Sequence, residues 1–236
     1  MTALLATEGL VAGYGDVTII RDVDLEVRAG EVVALLGPNG AGKTTTILTL
    51  AGEIRPRSGR IRCLGIDDVS KPAHVRARAG LAVVTDEKTV FMRMTVAENI
   101  RVFRTSTAAV LEVFPELRDH LERPVGLLSG GQQQMLALGL ALSREPSVIL
   151  ADELSLGLAP MLVDRLFEVL RRAADHGAGV LLVEQYVHKA MAIADRVYVM
   201  DRGRITISGT AAELSTRVDE IQSSYLAETD AEGAET

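Results

Sequence analysis

The sequence predicts an α/β fold: a mainly parallel core sheet, an antiparallel β margin and an inserted helical lobe. Three observations predict it. Four apolar runs, Val32 to Leu36, Leu81 to Val84, Val148 to Ala151 and Val180 to Val183, are nearly continuous and not alternating, the pattern of strands covered on both faces. Between the last two runs, Leu162, Leu166, Val169, Leu170 and Ala173 recur at helical spacing, with Pro160 suited to the first turn and Gly177 to the exit. Strand, helix and parallel strand make a right-handed crossover, the unit of a doubly wound sheet. At the two ends, turn-like segments from Leu10 to Asp16 and from Asp201 to Arg204 separate short alternating stretches, which predicts antiparallel hairpins. Residues from about 95 to 144 carry helical patterns without an apolar strand run, so a helical lobe is placed there between two core strands. No repeat or flexible linker is visible, and a single domain over residues 1–236 is expected.

Composition narrows the setting. A chain of 236 residues suffices for one large α/β domain with a sizeable core. No apolar stretch approaches the roughly 18 uninterrupted residues that cross a bilayer, and the N-terminus lacks a basic leader with a long apolar run. The one cysteine, Cys63, can form no internal disulfide, which points to the reducing cytoplasm. A net charge of −7 with no Lys/Arg stripe argues against nucleic acid as a partner. Residues 227–236 are acidic and poor in apolar side chains, and read as a solvated tail. Cys63, His74, His120, His176 and His188 show no metal-ligand or nucleophile-base spacing and are assigned no chemistry.

The most informative segment is the passage from the run ending at Leu36 into Gly37-Pro38-Asn39-Gly40-Ala41-Gly42-Lys43-Thr44-Thr45. A triphosphate needs backbone N–H donors on a tight loop, a cation for the outer phosphates and a hydroxyl for magnesium. Gly37, Gly40 and Gly42 supply the loop, Lys43 the charge and Thr44 the hydroxyl. The run ending at Ala151 continues into Asp152-Glu153, two carboxylates at the carboxyl edge of a strand, where open α/β sheets hold ligands. Asp152 suits the Mg²⁺ shell, directly or through water, and Glu153 suits the general base for an attacking water. A second anion-binding helix start is read at Ser129-Gly130-Gly131-Gln132.

The Leu128 to Gln132 segment, Leu-Ser-Gly-Gly-Gln, resembles the signature of ATP-binding cassette (ABC) proteins, and the rest of the chain falls into that family's order over nearly its full length. The resemblance is closest to the ATP-binding subunits of bacterial branched-chain amino-acid importers, with urea and short-amide importers next. It implies a P-loop ATPase of ABC type that binds ATP and Mg²⁺. It further implies a dimer with a second, identical or similar, ABC subunit, each ATP lying between one chain's glycine loop and the other's Ser129 region. Membrane permease subunits, and indirectly a solute-binding protein, follow as partners, which places the chain on the cytoplasmic face of the plasma membrane. Tyr14 matches the aromatic that stacks on adenine, although Gly13 and Gly15 also suit it to an ordinary turn. Gln185 matches the γ-phosphate sensor, where histidine is usual elsewhere, and Asp86 stands where the family has Gln or Glu to sense magnesium. Leu154 and Leu140 are two further departures, replacing a proline and an arginine. The Asp86 and Leu154 departures leave a second reading, an ATP-binding but poorly hydrolysing partner of another cassette. A cassette protein acting on ribosomes or DNA is disfavoured by the acidic single cassette, and a GTPase because neither Asn39 nor Asn99 opens an Asn-Lys-x-Asp motif. The strip Val90 to Met94 suits either an adaptable contact for a membrane subunit's helix or the interior of the lobe.

Overall fold

The computed structural model describes residues 3–67, 71–85, 89–218 and 221. Its larger sheet contains β3 (Val32–Leu36), β5 (Leu81–Val84), β6 (Val148–Asp152), β7 (Gly179–Glu184), β8 (Arg196–Asp201) and β9 (Arg204–Thr210), laid side by side as β5-β6-β7-β3-β8-β9. All neighbours are parallel except the β8–β9 hairpin. A second sheet, in the order β2-β1-β4, is antiparallel and built from β1 (Ala3–Tyr14), β2 (Val17–Arg28) and β4 (Ser58–Cys63).

The continuous apolar runs behave as expected of doubly covered strands: every residue of β3, β6 and β7 is buried. Alternate residues of β3 feed different apolar layers. Val32, Ala34 and Leu36 pack with α5 (Gly130–Leu142), α6 (Pro160–Asp175) and α7 (Val187–Ile193). Val33 and Leu35 pack with α1 (Lys43–Ala51) and the apolar face of the three-stranded sheet. Short helices α2 (Ala73–Arg78) and α8 (Ala211–Leu214) complete the edges. Residues 95–144 hold α3 (Val96–Val102), α4 (Thr107–Val113), α5 and two 3-10 turns, Pro115–His120 and Val125–Leu127. Thr95 and Ser129 open α3 and α5 with reciprocal capping boxes, closed by Glu98 and Gln132 respectively.

Two local expectations need correction, and one strand carried no expectation. The turn expected from Leu10 to Asp16 shrinks to Gly15 and Asp16, because residues through Tyr14 stay in β1; a Cβ on Gly13 would lie 2.0 Å from the Val17 carbonyl oxygen, so that glycine serves a close backbone crossing. β8 is not confined to the margin but is a parallel neighbour of β3 at the centre of the sheet. β4 escaped notice although it alternates, with Ile61 and Cys63 buried and Arg60 and Arg62 exposed. No helix among the described residues is long and apolar enough to cross a membrane. The 227–236 tail lies outside the described residues.

Candidate active site

Strand order decides what meets at the carboxyl edge. β6, β7 and β3 are consecutive neighbours, Asp152 pairing with Val183 and Leu36 with Glu184. The segments leaving them, which begin at Glu153, Gln185 and Gly37, therefore emerge at one level.

The glycine loop is clamped from both sides. Gly37, Gly40 and Gly42 have φ of 155°, 80° and 105°. A Cβ on Gly37 would sit 2.2 Å from the Met200 carbonyl oxygen, and one on Gly42 2.8 Å from Ile20 Cγ2. The β8–β9 turn adds a hydrogen bond, Gly203 N–H donating to the Ala41 carbonyl at 2.9 Å. Pro38 is half-buried, while Asn39 and Gly40 form an exposed crest, and a Cβ at Gly40 would meet nothing within 4 Å. The loop thus has a fixed back and an open front, over which a phosphate chain can approach the backbone.

Lys43 opens α1 directly behind this crest. It is 4% exposed, and its Nζ donates to the carbonyls of Gly37 and Pro38, both at 2.9 Å. Glu153 Oε1 lies 3.6 Å away. Burial lowers the Lys43 pKa, and the charges of Glu153 and Asp152 oppose that shift. Thr44 is exposed on the first turn, Thr45 is buried, and Gly42 provides no side-chain cap, so the first-turn amides of α1 keep their capacity for an anion.

Asp152 is buried at the end of β6. Glu153 adopts φ 48°, its N–H donating to the Val183 carbonyl at 3.0 Å. The Gln185 amide donates to Glu153 Oε1 at 3.2 Å and also to Asn39 Oδ1. One side chain therefore ties the loop crest to the carboxylate beside Lys43, and Asn39 gains a contact that its place in the motif did not foretell.

Beneath this layer, Glu184 is buried and accepts from Ser155 N–H at 3.1 Å and Ser155 Oγ at 2.5 Å. Burial pushes its carboxyl up to about 7, with the two Ser155 hydrogen bonds pulling the other way. Between about pH 4.5 and 7 the unfolded chain releases this proton and the folded chain keeps it, so stability falls as pH rises through that window, by about 3 kcal/mol. Glu184→Gln is expected to abolish that loss, and urea melts at pH 5 and pH 8 should show the variant gaining stability only at the higher pH.

The Ser129 region forms a separate station. Ser129 and Gly130 are exposed, Gly131 is buried, and a Cβ there would meet Leu162 Cδ2 at 1.8 Å. Gln132 Oε1 accepts from Ser129 N–H at 3.0 Å, which turns its amide Nε2 toward His120 Nε2, 2.8 Å away. The ring nitrogen must be the acceptor of that contact, which fixes the tautomer with the proton on Nδ1. His120, assigned no chemistry from sequence, thus braces Gln132. No hydrogen bond among the described residues joins residues 129–132 to the glycine loop. Tyr14, 51% exposed, stands at the tip of the hairpin whose Ile20 lies against Gly42. Arg57 pins that tip by donating to the carbonyls of Gly15 and Val17 at 2.6 and 3.1 Å. Asp86 lies outside the described residues.

The donor set fits magnesium. Thr44 and Asp152 offer a hydroxyl and a carboxylate, hard oxygen ligands, and no group of three or more His, Cys, Asp or Glu among the described residues forms a metal cage. A magnesium ion that shares its shell with substrate phosphates needs no such cage.

A strand-loop-helix phosphate cradle with a dry ammonium behind it and an Asp-Glu pair two strands over, beyond β7, marks the P-loop class of nucleoside triphosphatases. Known proteins narrow the class. The family model described as ABC transporter matches residues 20–155. The chain is 39% identical to the high-affinity branched-chain amino acid transport ATP-binding protein BraG of Pseudomonas aeruginosa, across 94% of this chain and 99% of that one. It is 34% identical to the lipopolysaccharide export system ATP-binding protein LptB of Acidithiobacillus ferridurans, across 91% and 93%. A solved ATP-binding subunit of an ABC transporter superposes with a TM-score of 0.82 at 28% identity, across 94% and 99%. The chain belongs to the ABC transporter family and is an ATP-binding cassette ATPase. Two of its departures from the family pattern are core residues, Leu154 and Leu140 each being 1% exposed.

Proposed function

We propose that this chain binds MgATP and hydrolyses it to power uptake of branched-chain amino acids through separate membrane permease subunits, on the cytoplasmic face of the membrane. The observation that carries the hydrolytic part is the convergence of Lys43, Glu153, Gln185 and Asn39 at one strand edge. The loop amides and Lys43 hold the phosphates, Tyr14 stacks on adenine, and Thr44, Asp152 and Asp86 serve the magnesium. That ion would screen phosphate charge when bound; Glu153 takes the proton of the attacking water, and Gln185 holds Glu153 in place. This linkage of base and loop speaks against a passive subunit.

Ser129 to Gln132 stands apart from the loop, so the ATP is closed by the Ser129 region of a second cassette subunit. Leu156, Met161 and Tyr186 are 56%, 86% and 57% exposed, an apolar rim for that subunit. The BraG likeness supports the choice of solute, and the LptB likeness supplies the rival, lipid export. Reconstitution with the permease subunits that co-purify with the chain decides between them: ATP-dependent accumulation of L-leucine in proteoliposomes supports uptake, and its absence with active ATPase overturns it.

The permease contact has its own candidate surface. Phe91, Met92 and Met94 are 49%, 43% and 37% exposed, whereas Val90 packs partly against the core and Phe91 lies 6.3 Å from the Phe103 ring, centroid to centroid. The strip therefore anchors at one end and presents methionines at the other. Met92→Glu is expected to cut transport about tenfold or more while ATP binding by the isolated subunit is unchanged, as measured by paired uptake and nucleotide titration.

A further inference from the structure

A cavity of about 610 Å³ opens at the amino edge of the parallel strands, on the side of the sheet away from the glycine loop. It lies where α4, the segment after α5, the start of β6 and the end of α6 meet. This volume is in the range of small-molecule sites, and nothing in the ATPase chemistry uses it.

Its lining joins two opposite characters. Ile149 and Val169, 0% and 5% exposed, give an apolar floor. Around them stand Glu112 from α4, Glu145 after α5, and Arg172 and His176 at the end of α6. Glu112, Glu145 and Arg172 form no ion pair among the described residues, although two acids and a guanidinium line one hollow. All three are exposed and stand on three different elements. His176 Nδ1 is committed to the Arg172 carbonyl at 2.6 Å, leaving Nε2 as its remaining polar atom.

Separated opposite charges over an apolar floor complement a ligand with the same three parts: an ammonium for the glutamates, a carboxylate for Arg172 and an aliphatic side chain for Ile149 and Val169. A simple anion leaves the glutamates unmatched and a simple cation leaves Arg172 so. We propose that this cavity binds a small zwitterion with an apolar side chain, an amino acid or a short apolar peptide with free ends. The cavity touches the far ends of two elements that matter for turnover. α5 begins beside Ser129 and ends at the cavity; β6 begins at the cavity and ends in Asp152. Occupancy ties the helical segment to the core sheet along both, and so modulates ATP turnover.

The test uses the full chain without membrane subunits, so failure of the transport reading leaves it intact. Isothermal titration with L-leucine and with L-leucyl-L-leucine is expected to show saturable binding by at least one, and which one binds identifies the source. Two analogues of leucine, 4-methylpentanoate lacking the ammonium and 3-methylbutylamine lacking the carboxylate, are expected to bind about 10- to 100-fold more weakly than leucine if leucine is the ligand. Arg172→Ala and the double variant Glu112→Gln/Glu145→Gln should each weaken the zwitterion by a similar factor, with melting temperature and ATP affinity unchanged. Absence of saturable binding by both probes up to tens of millimolar overturns the proposal, as does binding that both variants leave intact.

Discussion

Glu153→Gln is expected to lower ATP hydrolysis by about 10²- to 10⁴-fold, the usual contribution of a positioned base, while ATP still binds. The substitution keeps the side chain's length and the oxygen that accepts from Gln185 at 3.2 Å. The tie to Asn39 through Gln185 therefore survives, and the loop crest stays where it is. What is lost is a basic oxygen and the negative charge 3.6 Å from the Lys43 ammonium. Losing the first removes the acceptor for the water's proton. Losing the second frees Lys43 from a competing carboxylate, so affinity for the anionic triphosphate should hold or rise. Single-turnover phosphate release with the reconstituted assembly measures the first effect, and equilibrium titration with a fluorescent ATP analogue the second. Normal turnover would remove Glu153 from its assigned role.

The sequence was most legible where one residue's environment is set by its chain neighbours. The run beginning at Val32 matched β3 at both ends because a strand buried on two faces must be apolar at every position, and the run beginning at Leu81 matched the edge strand β5, although Ala82 and Val83 are only half-buried there. The glycine loop and the Asp152-Glu153 pair were legible for a similar reason, since phosphate geometry and a strand terminus are local requirements. Contacts made across the sheet were not. Nothing in Leu182-Val183-Glu184-Gln185 says that Gln185 reaches Asn39, nor that Glu184 buries its carboxyl against Ser155, because both depend on β6, β7 and β3 lying side by side. The same limit hid His120, twelve residues from the Gln132 it supports, and the central place of β8, whose neighbour β3 is more than 150 residues distant in the chain. Asp86 falls outside the described residues, so its part rests on resemblance alone.

Lys43→Met should weaken ATP binding by orders of magnitude without unfolding the protein, and the two halves of that expectation come from the same burial. An ammonium only 4% exposed has lost most of its hydration, which is why its pKa is lowered despite Glu153 and Asp152 nearby. In the nucleotide-free subunit the charge is thus a standing cost, only partly offset by the Gly37 and Pro38 carbonyls at 2.9 Å. Methionine matches the unbranched stem, fills the same space and carries no charge to desolvate. The melting temperature of the variant should therefore equal or exceed that of the parent. Against a triphosphate the balance reverses, because a buried cation meets a multiply charged anion with little water between them. Truncating one partner of such a pair costs about 2–5 kcal/mol, so the ATP dissociation constant should rise about 30- to 5,000-fold. Lys43→Arg should not restore it, since a planar fork cannot occupy a socket shaped by two loop carbonyls around a point charge. Differential scanning fluorimetry with and without MgATP reads both quantities in one experiment: the parent should gain stability with nucleotide, and Lys43→Met should start as stable and gain far less. A variant that melts early on its own, or that is stabilised by ATP as the parent is, would contradict the placement of Lys43 as the buried phosphate-binding cation.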